Sequence, residues 1–169
     1  MAPAVGGNLS TPSCGRRLQN WYQCNSFAST KLDQNQHIIP LLPIYHALGE
    51  RRVRAIQGFH ALSGCDTTGH ILGKSKTSWW NIFVSASEEV LTALEKLGIG
   101  EEPTLTVLCG CEEFICKLLR PTRTNTVEAK ELRWYWFCKL QPHEGIERLP
   151  PTVGAIFEHV CHAHLQSNV

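Results

Sequence analysis

One carboxylate, two hydroxyls and a glycine–lysine turn stand together in Phe59-His60-Ala61-Leu62-Ser63-Gly64-Cys65-Asp66-Thr67-Thr68-Gly69-His70-Ile71-Leu72-Gly73-Lys74-Ser75-Lys76. Hard cations take oxygen ligands, so Asp66 reads as a ligand, direct or through water, of Mg2+ or Mn2+. It reads equally as a helix cap or Asx turn, since Asp-Thr-Thr after a glycine caps well. Gly69, Gly73, Lys74 and Lys76, with the Thr67 and Thr68 hydroxyls before them, read as a turn that grips a phosphate backbone. The N–H groups and dipole of the next helix favour an anion there, and lysines add charge. The plain alternative is a solvated turn. The spacing is one residue short of a P-loop. His60 and His70 flank Asp66, as partners that orient it or as packed or solvated side chains.

Other groups offer weaker chemistry. Cys161, His162 and His164, with Cys138 and His143 upstream, could form a four-ligand zinc site, though in no standard finger spacing. Cys109 and Cys116 are seven residues apart and share a helix face, while Cys111 points elsewhere. All three fit a buried-thiol core. Trp79, Trp80, Trp134 and Trp136 could stack on bases, or form the core and rim of a bundle. Adjacent Trp79 and Trp80 cannot both enter one core. Arg51, Arg52 and Arg54 either extend a backbone-contact surface or solvate a helix face. Cys65 beside Asp66 has its thiolate disfavoured, and no nucleophile elbow is present.

The elements that must position these groups are helical. Val53, Ile56, Phe59 and Leu62 recur every third residue, giving an amphipathic helix over 50–62 that stops near Gly64. A short helix over 44–48 ends at Gly49. Thr77 or Ser78 is expected to cap a helix through Val84. Ser87-Glu88-Glu89 opens another, with acids at the positive end of the dipole, and Gly98 stops it. Leu105 to Leu119 is strongly apolar and ends before Pro121. Val127 to Leu140 and Val153 to His164 complete the set, the last capped at Thr152 after Leu149-Pro150-Pro151. Ile38 to Ile44, an apolar run broken by two prolines, is a strand end or an extended connector. The fold class is therefore mainly α, with at most one short strand. Residues 1–37 read as a poorly ordered leader, 38–165 as one helical domain and 166–169 as a tail.

Bulk properties narrow the function classes. The chain has 169 residues, 43% of them hydrophobic, 18% charged, with net charge +1. That suits one domain with an ordinary core, and it excludes a global basic field. Nucleic-acid binding would need a local patch. Eight cysteines invite a disulfide reading, but the apolar periodic segments need no staples. No apolar run approaches the ~20 residues of a membrane span, and no secretory signal opens the chain. A reduced, intracellular chain with no membrane partner is expected.

At Leu62-Ser63-Gly64-Cys65-Asp66 and the turn after it, the sequence resembles the PIN-like, flap-endonuclease superfamily. There an apolar-Gly-x-Asp helix end precedes a helix–hairpin–helix turn that holds DNA. The string from Phe59 to Lys76, with Leu149-Pro150-Pro151-Thr152, His159 and His162 later, is similar to a set of transposon-associated animal proteins. The resemblance covers roughly residues 38–164. It implies the C-terminal helical part of a PIN-like α/β nuclease domain, and a nuclear rather than cytosolic location. It further implies a metal-bound Asp66, a DNA backbone held by Gly69 to Lys76, and metal-assisted phosphodiester hydrolysis. Two metals ~3.5–4 Å apart need several carboxylates, yet only Asp33 and Glu50 precede Asp66. The chain is therefore expected to be a fragment of a longer protein, contacting DNA without cleaving it. The alternatives are a non-catalytic helical interaction or structural remnant, and a zinc module.

Overall fold

The computed structural model describes residues 27–32, 35–65, 69, 71, 73–141 and 143–168. Asp66, Thr67, Thr68 and His70 lie outside the described residues, as do residues 1–26 of the expected leader. The chain divides into two units, residues 1–54 and 55–169, where one domain over 38–165 was expected. The division falls inside a helix.

In the first unit, strand β1 (Phe27–Leu32) pairs antiparallel with β2 (Asn35–Pro40), Phe27 opposite Pro40 and Leu32 opposite Asn35. The expected single strand near Ile38 thus has a partner within the expected leader. Helix α1 (Leu41–Leu62) follows directly and is broken at Gly49, whose φ of 76° and ψ of 157° are non-helical. The two helical segments expected around Gly49 are both there. Arg54 forms an ion pair with Glu50 one turn back, and Arg52 donates to the Leu48 carbonyl. The arginine cluster is thus partly spent on its own helix.

The second unit is helical and mainly α, as its periodicity implies. After the end of α1 come α2 (Lys76–Val84), α3 (Glu88–Lys96), α4 (Leu105–Leu119), α5 (Ala129–Phe137), a 3-10 turn (Ile146–Arg148) and α6 (Val153–Ser167). Helix α4 is the hub, packing most extensively on α3 and also on α2, α5 and α6. Its apolar stripe explains this: Val107, Cys111, Phe114, Ile115, Cys116 and Leu118 are all buried. Gly110 lets α3 come close, since a Cβ there would lie 2.4 Å from that of Ala93. Phe114 packs against Phe59 and against Trp79. Trp79 is fully buried while Trp80 sits at the rim, the split that adjacency requires.

Three caps match or refine the sequence signals. The Ser75 hydroxyl accepts from Ser78 N–H and starts α2 ahead of the expected Thr77 or Ser78. Thr104 and Thr152 cap α4 and α6. Helix α5 is shorter than the expected 127–140. Its Ala129 N–H donates to Glu112 of α4 at 2.8 Å, so a carboxylate from another helix fixes its start. Helix α6 outruns its expected end at His164, because its last turn is buried at Ala163, His164 and Ser167.

Candidate functional site

The motif's first task is to finish a helix. The last four carbonyls of any α-helix lack intrahelical partners, and here all four are satisfied. The Phe59 oxygen accepts from both the N–H and the hydroxyl of Ser63, at 2.9 and 2.6 Å. The His60 oxygen accepts from Lys76 Nζ at 3.3 Å and the Ser63 hydroxyl at 3.4 Å. The Ala61 oxygen accepts from Gly64 N–H, and the Leu62 oxygen from His159 Nε2 at 2.7 Å. Lys76 Nζ also reaches the Gly64 oxygen at 2.7 Å and sits 5.6 Å from the Phe59 ring centre. A cation at a helix C-terminus is favoured by the dipole.

This reassigns two expected roles. Lys76 Nζ is engaged by two backbone carbonyls. Desolvation holds its ammonium below the usual lysine value, and the nearby Cys65 side chain partly offsets that. His60 contributes its carbonyl to the cap, and its side chain is exposed. His159 had no assigned role in the residue chemistry, yet it ties α6 to the exit of α1. A hydrogen bond between residues 97 apart leaves no local signal.

The turn beyond the cap opens into a cleft of about 690 Å³. Gly69, Gly73 and Lys74 line it together with Arg148 to Pro151, and Ile115, Ile156 and Trp136 are among its apolar lining residues. The Gly-Lys turn and the Leu-Pro-Pro segment, some 75 residues apart in the sequence, therefore meet at one place. Among the described residues, a Cβ built on Gly69 or Gly73 would meet nothing within 4 Å. Lys74 N–H closes the turn onto the Ile71 carbonyl at 3.2 Å. Arg148 pairs with Glu144, whose carboxyl is held below its ordinary value, first by the Gln141 N–H bond. Glu147 is the acid on the rim.

The proposed zinc ligands separate. His164 is buried, accepting at Nδ1 from Gly98 N–H (3.0 Å) and donating from Nε2 to the Gly100 oxygen (3.2 Å). Both ring nitrogens are committed to a loop. Cys111 and Cys116 are buried, and desolvation pushes both thiols up to about 12, as inert core thiols require. Cys109 is exposed, so it does not share the buried position of Cys116 that their spacing suggests. Among the described residues no group of three or more His, Cys, Asp or Glu could hold a metal ion.

No family model, curated protein or solved structure matches the chain. Among the described residues no helix is long and apolar enough to cross a membrane.

Proposed function

We propose that residues 55–169 form a helical module that holds a DNA backbone at the Gly69–Lys74 cleft and does not hydrolyse it alone. The observation that carries this reading is the meeting of an unobstructed glycine turn, Lys74 and Arg148 around one cleft. Cations and closely approachable backbone are what phosphate contacts use. Supporting context is the resemblance to a flap-endonuclease-related domain of transposon-associated proteins. In the longer protein that resemblance implies, Asp66 would be one ligand of Mg2+ or Mn2+ in a divalent-metal nuclease, acting in the nucleus. Lys76 belongs to this site indirectly, by fixing the chain exit from α1 that leads into the turn.

The test is fluorescence anisotropy with labelled duplex DNA at several salt concentrations. Lys74→Glu/Arg148→Glu is expected to weaken binding at least about tenfold and to flatten the logarithmic salt slope by about 1 for each lost contact. Lys76 is a poor choice for this test, because its loss would also remove its bonds to the His60 and Gly64 carbonyls at the exit of α1. Wild-type protein that is folded yet binds no DNA, or binding unchanged in the double variant, would refute the reading.

A second reading has its own support: a non-catalytic helical interaction or structural remnant. The full satisfaction of the α1 carbonyls by Ser63, Gly64, Lys76 and His159 gives the motif a purely structural reason to exist. That reading expects the Lys74 and Arg148 changes to be silent.

A further inference from the structure

Helix α5 places Lys130, Arg133, Trp134 and Phe137 at spacings of three and four, hence on one face. With Ile146, Leu149, Thr152 and Val153 they line a groove of about 570 Å³. Trp134 is 66% exposed and Phe137 51%. The two rings lie nearly parallel, 23° apart with centroids separated by 5.7 Å. Arg133 donates to the Pro150 carbonyl, which fastens this face to the Leu-Pro-Pro segment. Leu149 lines both the groove and the Gly69–Lys74 cleft, so the two adjoin.

We infer that the Trp134–Phe137 pair is a stacking platform for the bases of single-stranded DNA whose backbone runs on from the cleft. The inference rests on the DNA-binding reading above and extends it to the kind of strand held. Two features of the groove select this occupant. Among the described residues the groove lining carries two cations, Lys130 and Arg133, and no carboxylate, which suits a polyanion. Its apolar surface is presented by flat rings beside those cations, the combination that holds unpaired bases without sequence preference. A duplex keeps its bases stacked internally and cannot offer their faces to the rings.

The experiment compares a labelled dT oligonucleotide with a blunt duplex, for wild type, Trp134→Ala/Phe137→Ala, Trp134→Phe/Phe137→Tyr and Lys74→Glu/Arg148→Glu. Circular dichroism verifies that each variant folds, and the exposed rings can be truncated without opening the core. Removing both rings is expected to weaken single-strand binding at least about fivefold and leave duplex binding unchanged. The variant that keeps two aromatic rings is expected to bind the single strand within about twofold of wild type. Unchanged single-strand binding without the rings overturns the platform. If Lys74→Glu/Arg148→Glu still abolishes duplex binding, the cleft stands and only the platform falls. Ring-dependent single-strand binding that ignores the cleft charges keeps the platform and removes the cleft. Tighter ring-dependent binding of an RNA strand, or of polyglutamate in place of DNA, overturns the assignment to single-stranded DNA.

Discussion

Trp79→Ala is expected to cost about 3–5 kcal/mol of stability, much of what a domain of this size possesses. Trp79 is fully buried, in contact with Phe114 at 5.5 Å between ring centres, where α2 meets the hub helix. Truncation leaves a cavity among side chains already fixed by Phe59, Phe83 and Phe114, which limits how far the site can collapse. The indole Nε1 is buried with no hydrogen-bond partner among the described residues. An unpaired buried donor costs about 1–3 kcal/mol. Trp79→Phe removes that donor while keeping a ring, so its cost is expected to stay below about 1.5 kcal/mol. Urea denaturation followed by circular dichroism measures both. A Phe variant as damaging as Ala would mean that the indole N–H has a partner after all.

Gly98→Ala is expected to lose about 2–5 kcal/mol, the sum of two separable costs. The first is backbone strain: φ at Gly98 is 88°, a region that costs an L-residue about 1–2 kcal/mol. The second is crowding: a Cβ there would lie 2.5–2.6 Å from Ser167 backbone and side-chain atoms at the end of α6. Overpacking of that kind costs about 1–3 kcal/mol. Gly100 isolates the first cost. Its φ is 92°, yet an added Cβ meets nothing nearer than the Glu102 oxygen at 4.0 Å. Gly100→Ala is therefore expected to lose only about 1–2 kcal/mol. Equal midpoints for the two variants would disprove the close approach of the Gly98 loop to α6. The same loop takes both ring nitrogens of His164 and the Asn168 amide, so α6 and the α3–α4 connection are expected to unfold together.

Much of this scaffold was legible because its signals are local. Helix α4 runs from Leu105 to Leu119 as its apolar stripe implies, and Ser87 and Thr152 stand at their cap positions. The start of α2 lies two or three residues ahead of the expected cap, since three hydroxyl residues, Ser75, Thr77 and Ser78, lie within four positions and only geometry chooses Ser75. Helix α5 was drawn too long because Val127 reads as apolar while the Glu112 carboxylate that sets its start is on another helix. The site was less legible than the fold. Gly69, Gly73 and Lys74 do line a cleft, but they share it with Arg148 to Pro151, distant in the sequence. Lys76 looked like one more phosphate contact, because a sequence does not reveal that α1 ends with unsatisfied carbonyls within its reach. Asp66, Thr67, Thr68 and His70 lie outside the described residues, and their roles stay with the resemblance.

The buried thiols of α4 also make the protein its own timekeeper. Cys111 and Cys116 are walled into the core and held protonated to a pH of about 12, while Cys109, two residues from Cys111, is exposed on the same helix. An alkylating reagent consumes the thiolate, so it can label the inner pair only when the helix hub opens, and the outer one acts as an internal standard. The ratio of the two labelling rates counts openings of the bundle directly, in unmodified protein and under the conditions of any binding assay.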